Sequence, residues 1–358
     1  MVVTRRAGLL ALAGVNVVLL AIGIVAIELC FGSWFEPYMP PRSTILDRTA
    51  TYRQALYDPP SVVTYVRDRF GLRGVRGRLE DVGMVTLGGS TTDQRFITEG
   101  ETWQDVISSL TGTVIANAGI DGMSSNGHVL AVEEWLHKIP GLKARYYLHF
   151  IGVNDSWLPA IMVPPDRPGT SSLITRIRLR SAIVDAIGHG WDLIRGAEQV
   201  RHGHIVPHEL DDVEPVKAVV DRREIQDYVE TRYKPNLRRL IDVHRANGER
   251  AIFVSQPAHP AVLLRRGDEV FVTSLQAPPR WAVALGKMNA ATEQLCATRA
   301  DVCAFIDVAG KLAFEQADFY DSVHVTPAGA RKLGSFLAHE LIMLAHTDRE
   351  LSDLIARR

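Results

Sequence analysis

The sequence predicts an α/β fold in which helices cover both faces of a parallel sheet, preceded by one membrane-spanning helix. Three observations predict it: five short apolar runs rich in β-branched or aromatic residues, stretches of helical periodicity between them, and one long apolar run near the N-terminus. Strands that alternate with helices form parallel sheets with right-handed crossovers. Such sheets carry their functional groups at the carboxyl ends of the strands.

The N-terminal run extends from Ala7 to Ile27 and is interrupted only by Asn16. At about 1.5 Å per residue it is roughly 30 Å long, which matches the apolar core of a bilayer. A cleaved signal peptide is the alternative, but the sequence Ile27-Glu28-Leu29-Cys30 lacks the small residues of a cleavage site. We therefore expect an uncleaved single-pass anchor over residues 7–29.

The charges beside this run bear on its orientation. Arg5 and Arg6 precede it and favour a cytoplasmic N-terminus over residues 1–6, although Arg42 and Arg48 on the other side weaken the bias. We expect the rest of the chain to lie outside the cytoplasmic membrane, on the periplasmic side.

Residues 30–80 are interpreted as a stalk and lead-in, because prolines interrupt this segment repeatedly. Three of its arginines, Arg67, Arg69 and Arg73, lie in a glycine-containing charged stretch. A solvated loop is the simpler interpretation of that stretch, and a loop packed beside the functional site is the alternative.

A single domain is expected over residues 81–350. Its predicted strands are Met84–Leu87, Val114–Ala116, Tyr146–Ile151, Ala251–Val254 and Ala304–Ile306. Its predicted helices cover about 102–110, 126–138, 225–247, 281–298 and 327–346.

Residues 156–224 break this alternation and are interpreted as an insertion on the strand-end side, with helical spacing from Leu173 to Val200. This insertion is a candidate lid or partner surface. Its histidines, His202, His204 and His208, lack a carboxylate or cysteine at a ligand spacing, so we expect a solvated loop and no metal.

Four motifs at the predicted strand ends carry candidate chemistry. The first is Gly88-Gly89-Ser90, after the first strand, where Ser90 would begin a helix and find unpaired N–H groups beside it. The second contains Gly122, whose N–H could approach a substrate closely. Taken alone, Gly88-Gly89-Ser90 is a weak signal that more often marks an ordinary turn or a phosphate loop, and the segment around Gly122 is equally consistent with a plain glycine-rich loop.

The third motif places Asn154 after the third strand, where its amide could donate to an oxyanion without adding charge. The fourth runs from Asp321 to Pro327 before the last helix. There His324 would act as a general base toward Ser90, and Asp321 would orient the imidazole. An Asx turn would explain Asn154 equally well, and a lone Asp-x-x-His is frequent by chance.

Taken together and in this order, the four motifs resemble those of the SGNH hydrolases, the GDSL-type esterases and lipases. The resemblance covers about residues 80–347. It implies a flavodoxin-like three-layer α/β/α fold with a five-stranded parallel sheet. It also implies a Ser90–His324–Asp321 triad with an oxyanion hole formed by Ser90, Gly122 and Asn154.

One position departs from the family pattern. The first family motif usually reads Gly-Asp-Ser, and here Gly89 stands in place of the aspartate. The nucleophile assignment survives because that aspartate is outside the triad, but the support of the turn is in question. Asp93, one helical turn after Ser90, is a candidate substitute.

The expected function is a membrane-anchored serine esterase acting on a carboxylic ester, such as an acetyl ester of a glycan or a lipid ester. A polysaccharide O-acetyltransferase could use the same triad if the site excludes water and admits an acceptor hydroxyl. A non-catalytic binding or assembly protein of the envelope is the third possibility. Trp157, three residues after Asn154, is the candidate ligand contact among the tryptophans.

The composition and the motifs argue against several other classes of protein. Forty Lys and Arg residues balance 41 Asp and Glu residues, giving a net charge of -1. Nucleic-acid binding requires a concentrated positive field, so no nucleic-acid partner is expected. No cofactor motif is present, since no lysine follows Gly88-Gly89-Ser90 to meet phosphates. Cys296 and Cys303 are close enough in sequence to be bridged, or they could be two buried thiols.

Overall fold

The computed structural model describes residues 2–38, 40, 48–74, 77–157, 173–195, 198–201, 222–258, 261–266, 269–274 and 280–355. Its strands are β1 (Arg48–Ala55), β2 (Ser61–Arg67), β3 (Val82–Gly88), β4 (Val114–Asn117), β5 (Tyr146–Phe150), β6 (Glu198–Arg201), β7 (Arg250–Val254), β8 (Ala261–Arg266), β9 (Glu269–Ser274) and β10 (Cys303–Ile306).

The α-helices are α1 (Val2–Phe31), α2 (Ser90–Asp93), α3 (Trp103–Thr111), α4 (Ser125–Glu134), α5 (Val153–Ser156), α6 (Leu173–Arg180), α7 (Ala182–Arg195), α8 (Arg222–Tyr228), α9 (Lys234–Ala246), α10 (Arg280–Ala297), α11 (Val308–Lys311), α12 (Pro327–Ala345) and α13 (Arg349–Ile355). A π-helical turn over Val229–Tyr233 joins α8 to α9, so the helix predicted over 225–247 is continuous.

The central sheet has the order β10-β7-β5-β3-β4, and all its neighbouring strands are parallel. This is the flavodoxin-like strand order. The chain forms β3 inside the sheet, adds β4 at one edge, and then returns to add β5, β7 and β10 on the other side of β3. The five predicted strands and the helices between them are confirmed.

Successive residues of the strands face opposite sides of the sheet and enter two separate cores. Val85 and Phe253 pack beneath α4, α9 and α10, whereas Met84 and Ile252 pack beneath α3 and α12. The near-continuous apolar strands are therefore buried on both faces, as a three-layer α/β/α arrangement requires.

A second sheet combines two strands of the lead-in with one strand of the insertion. β1 pairs with β2 in an antiparallel hairpin, and β6 of the insertion adds to β1 in parallel. The prolines and charges of the lead-in did not predict this hairpin. The histidines His202, His204 and His208 lie outside the described residues.

α1 contains the segment Leu12–Phe31, which is exposed and has a mean hydropathy of 2.4. By length and composition this segment could cross a membrane, although an N-terminal signal sequence would have the same properties. The predicted span of residues 7–29 falls within this helix.

Candidate active site

Ser90 meets His324 and Asp321, from a distant part of the chain, at the carboxyl edge of the central sheet. Nε2 of His324 lies 2.7 Å from Oγ of Ser90, and Nδ1 of His324 lies 2.6 Å from Oδ2 of Asp321. A carboxylate can only accept, so Nδ1–H donates to Asp321 and leaves Nε2 to accept from the Ser90 hydroxyl. This is the tautomer that a general base toward Ser90 requires.

The carboxylate of Asp321 is itself held in place. Its Oδ1 accepts the backbone N–H groups of Val323 (2.8 Å) and His324 (2.7 Å). Burial raises the pKa of Asp321, but the adjacent His324 and the two amides outweigh burial and keep that pKa below its ordinary value. Asp321 is therefore ionised at neutral pH.

The imidazole of His324 has the opposite shift. Burial lowers the pKa of His324, but the charge and hydrogen bond of Asp321 outweigh it, so the net pKa is raised. One face of the imidazole stacks on the ring of Tyr320, with centroids 5.5 Å apart and planes 6° apart. The carboxylate and the tyrosine together fix the orientation of the base.

Ser90 begins α2 directly after β3, so its position follows from the strand. A Cβ added at position 89 would lie 2.0 Å from Oδ1 of Asn154, and one at position 88 would lie 1.7 Å from Oγ1 of Thr92. Both positions therefore require glycine, because the side chains of Asn154 and Thr92 come too close for a Cβ. The side chain of Asn154 occupies the space that any side chain at position 89 would need, which places the Asn154 amide against the turn that carries Ser90.

Gly122 lies in the turn that follows β4, at the same sheet edge. Its φ of +75° is in the left-handed region that favours glycine. The neighbouring Asp121 carboxylate contributes to the raised pKa of His324 and lies 3.9 Å from Arg95. The loop that carries Gly122 therefore lies close enough to the site to affect its electrostatics.

Gln256 links two parts of the site and was not singled out from the sequence. Its Oε1 accepts the backbone N–H of Val153 at 2.6 Å, and its Nε2 donates to Oγ1 of Thr91 at 2.8 Å. It thus ties the helix of Asn154 to the helix of Ser90. Its position two residues after a predicted strand is the signal that could have found it.

Asp93, the last residue of α2, is buried and links the helix that begins at Ser90 to β2. Nη2 of Arg67 and the hydroxyl of Tyr65 each donate to its Oδ1 at 2.7 Å. Burial raises the pKa of Asp93, but Arg67 and two further arginines outweigh it and lower the pKa. Loss of Arg67 would remove the shortest ion pair of this buried carboxylate and leave it with the hydrogen bond from Tyr65 and the 3.7 Å contact with Arg95.

Arg73 holds the chain that follows α2. It donates to the backbone carbonyls of Asp93 (2.6 Å), Gln94 (2.7 Å) and Ile97, and to the carboxylate of Glu99 (2.5 Å). Arg67 and Arg73 are 2% and 1% exposed, so the interpretation of this stretch as a solvated loop is wrong for both. Both guanidinium groups can be buried because their hydrogen-bond acceptors, many of them 20 or more residues away in sequence, are buried beside them.

The β1–β2 hairpin also reaches His324 through aromatic rings. Tyr57 packs its ring 5.9 Å from that of Tyr320, the residue that stacks on His324. The hydroxyl of Tyr57 donates to the carbonyl of Phe96 at 2.5 Å. The lead-in therefore forms one wall of the site.

The tryptophans divide by location. Trp103 and Trp135 are fully buried, whereas Trp157 is 38% exposed and stacks on Trp281 with centroids 5.3 Å apart. Trp157 directly follows α5, the short helix that carries Asn154. Its position agrees with the expected rim of the site.

One group of described residues has ligand atoms close enough for a metal ion: His137, His244 and Glu249, within 4.8 Å of one another. They lie near the amino end of β7, away from Ser90. Elsewhere, the structure joins Cys296 to Cys303 in a disulfide, so of the two alternatives the bridge is the one observed.

No family model matches the chain, and a search of curated proteins finds no match. Solved structures do match. A member of the lipolytic protein G-D-S-L family from Veillonella parvula is 14% identical, with a TM-score of 0.41 over 72% of this chain and 96% of that chain. A GDSL-like lipase from Bacteroides thetaiotaomicron is 13% identical, with a TM-score of 0.37 over 74% of this chain and 89% of that chain.

A variant of an acetyl-xylooligosaccharide esterase from a Geobacillus species is 14% identical, with a TM-score of 0.39 over 72% of this chain and 92% of that chain. At these identities and TM-scores, the similarity carries no conclusion about the reaction of this chain.

Proposed function

We propose that the protein is a serine esterase that hydrolyses carboxylic esters, with Ser90 as nucleophile, His324 as general base and Asp321 as the orienting carboxylate. The observation that carries the proposal is the unbroken hydrogen-bonded chain from Ser90 through His324 to Asp321, with contacts of 2.7 and 2.6 Å. A nucleophile, a base and an orienting group in this relation define the arrangement that activates a serine.

The reaction follows from these positions. As Oγ of Ser90 attacks the ester carbonyl, Nε2 of His324 takes the hydroxyl proton, and Asp321 stabilises the resulting imidazolium. The carbonyl oxygen becomes an oxyanion. We assign its donors to the backbone N–H groups of Ser90 and Gly122 and to the Asn154 amide.

Collapse of this intermediate breaks the bond to the alcohol, which leaves with the proton from His324, and Ser90 keeps the acyl group. Water then attacks the acyl-enzyme while His324 again takes a proton. The second collapse releases the carboxylic acid and returns the proton to Ser90.

We assign α1 as an uncleaved transmembrane anchor, with the domain on the outer side of the cytoplasmic membrane. The hydropathy of Leu12–Phe31 supports the anchor, and Arg5 and Arg6 support the orientation. The disulfide between Cys296 and Cys303 supports an oxidising compartment.

For the substrate we propose a small acyl ester, such as an acetyl group, on a glycan. Trp157 supports this class because an exposed indole near the Asn154 helix offers a face for a sugar ring. A lipid ester remains the alternative substrate, and an acceptor hydroxyl in place of water would make the enzyme an O-acetyltransferase. Product analysis with an aryl acetate, with and without oligosaccharide, distinguishes hydrolysis from transfer.

The test of the central proposal is Ser90→Ala in the full chain. Turnover of an aryl acetate should fall roughly 10⁴-fold or more, since the nucleophile is lost. A fluorophosphonate probe should label the wild type and fail to label the variant.

The matched control is Ser352→Ala, which removes an exposed hydroxyl on α13 and should keep both turnover and labelling. Wild-type turnover by Ser90→Ala would remove Ser90 from the role. Failure of the wild type to react with the probe would favour the non-catalytic binding or assembly protein.

A further inference from the structure

The helices α6 and α7 of the insertion expose an unusual amount of apolar surface. Ile187, Trp191 and Ile194 on α7 are 64%, 56% and 75% exposed. Their spacing of four and three residues places them on one face of the helix, and Val184 extends the same stripe toward its start. Leu173 and Ile174 on α6 are more than two-thirds exposed as well. A water-facing helix would carry polar residues at these positions.

This helix pair is attached to the end of α1 that would leave the membrane. The carboxylate of Glu28, on the last turn of α1, accepts a hydrogen bond from Oγ of Ser181 at 2.6 Å and from the backbone N–H groups of Ala182 (3.1 Å) and Ile183 (3.3 Å). Glu28 thus caps the N-terminus of α7, satisfying donors that a helix start leaves unpaired.

Arg180, between the two helices, makes a second attachment. Its guanidinium donates to the backbone carbonyls of Ser33 (2.6 Å), Trp34 (3.0 Å), Glu36 (3.0 Å) and Tyr38 (3.1 Å). Five donors in a fixed fork suit a group that must satisfy several carbonyls at once. The helix pair is therefore fastened to the segment that follows α1.

The end of α1 to which the pair is attached also exposes apolar side chains. Leu29 and Phe31 at the end of α1 are 55% and 79% exposed, and Phe35 in the following segment is 80% exposed. Because Glu28 and Arg180 bind α6 and α7 to this same stretch, the exposed residues of the pair lie where the chain would emerge from the bilayer. Besides Arg180, the sequence of α6 contains two arginines and no acidic residue, a composition that favours anionic headgroups.

We propose that α6 and α7 lie in the plane of the bilayer surface, with the stripe Val184, Ile187, Trp191 and Ile194 in the boundary between headgroups and acyl chains. The occupant of this apolar face is an anionic phospholipid surface. This inference rests on the proposed membrane anchor. It gives the domain a second membrane contact, which would hold the catalytic body at a fixed angle to the bilayer.

The test uses the full chain with Cys30→Ser, which removes the one cysteine outside the disulfide. Ile187→Cys and Ile194→Cys are each labelled with the environment-sensitive fluorophore NBD. Met343→Cys is the matched control, because Met343 is an exposed apolar residue (49%) on α12 of the main domain. Unchanged turnover of an aryl acetate shows that each labelled protein is folded.

The labelled proteins are reconstituted into liposomes of phosphatidylcholine and phosphatidylglycerol. NBD at positions 187 and 194 should emit at shorter wavelength than at 343. It should also lose emission to lipids that carry a nitroxide near the headgroup, and it should be protected from aqueous iodide. NBD at 343 should emit at longer wavelength, should not be quenched by the nitroxide lipids, and should be quenched by iodide.

Two outcomes would overturn the proposal while leaving the anchor intact. In the first, the protein resists extraction by alkaline carbonate, but iodide quenches the α7 labels as strongly as the label at 343. In the second, the α7 labels are shielded from both quenchers, which would mean that protein, such as a second copy of the chain, covers the face. Release by carbonate would instead refute the anchor, and with it this inference.

Discussion

Two histidines of this protein have nearly the same polar partners and very different surroundings. His324 has a carboxylate 2.6 Å from Nδ1 and the Ser90 hydroxyl 2.7 Å from Nε2. His244 has the Glu249 carboxylate 2.8 Å from Nδ1 and the imidazole of His149 2.9 Å from Nε2. Both histidines are therefore paired with a carboxylate, but of these two only His324 adjoins a hydroxyl that can attack a substrate.

The two histidines also differ in how much of the side chain is exposed to solvent. The side chain of His324 is 19% exposed at the sheet edge, whereas that of His244, on the buried face of α9, is completely buried. Burial lowers the pKa of His244 more than Glu249 raises it, so its net pKa is lowered, opposite to that of His324. A histidine–carboxylate pair is therefore a candidate general base only where the histidine also adjoins a nucleophile and a substrate can reach it.

The largest expected effect in this comparison comes from Asp321→Asn. The amide cannot stabilise the imidazolium or hold the tautomer, so kcat/KM for an aryl acetate should fall roughly 10³- to 10⁴-fold. When kcat/KM of the wild type is plotted against pH, the acid limb should have its midpoint above pH 6.5, because His324 must be neutral to act as a base and its pKa is raised. In the variant, burial acts without Asp321, so the midpoint should move to lower pH.

The pH profile separates a catalytic from a merely structural role for Asp321. Loss of fold would lower activity at every pH without moving the midpoint. A variant with near-wild-type rate, or with an unmoved acid limb, would contradict the assignment of Asp321 as partner of His324.

A smaller effect is expected from Asn154→Ala, because one of three proposed oxyanion donors is removed and the nucleophile and base remain. Loss of one such donor lowers kcat about 10²- to 10³-fold in serine hydrolases, with less change in KM. Fluorophosphonate labelling of Ser90 should persist but slow down. Asn247→Ala, in an exposed turn after α9, is the matched control and should leave kcat unchanged. An effect confined to KM would place Asn154 in substrate binding instead.

The sequence predicted the main domain well because its signals are local. Each core strand is a short apolar run, and each lies within one or two residues of its predicted bounds. Asp321 and His324 are three residues apart on one turn, so their contact follows from local geometry. That Ser90 would meet them could be inferred because parallel strands end at one edge of the sheet.

The parts that were missed depend on contacts between residues distant in sequence. Arg67 looks like a surface residue until Asp93 is placed beside it, and Gln256 has no motif at all. The apolar spacing of α7 was visible, but its attachment to α1 depends on Glu28 and Ser181, which are 153 residues apart. Such partners cannot be paired from composition or periodicity alone.

The smallest effect on activity is expected at the second pair. Glu249→Gln should leave kcat/KM within about twofold, because Glu249 does not touch the site. It should lower the free energy of unfolding by about 1–3 kcal/mol, because it weakens the buried hydrogen bonds to His137 and His244. Burial raises the pKa of Glu249, but the two histidines outweigh it and lower that pKa below 4.5. A depressed carboxyl pKa contributes stability above the unfolded value, and this is lost as pH falls through the folded value. Urea unfolding should therefore show the full difference from wild type at neutral pH and a shrinking one in acid.

Glu350→Gln is the matched control for this loss of stability. Glu350 pairs with Arg145, but both side chains are more than half exposed, so this substitution should change stability little at any pH. If Glu249→Gln instead lowered kcat/KM as strongly as Asp321→Asn, the two histidine–carboxylate pairs would not be independent. The distinction between an accessible catalytic pair and a buried structural pair would then be wrong.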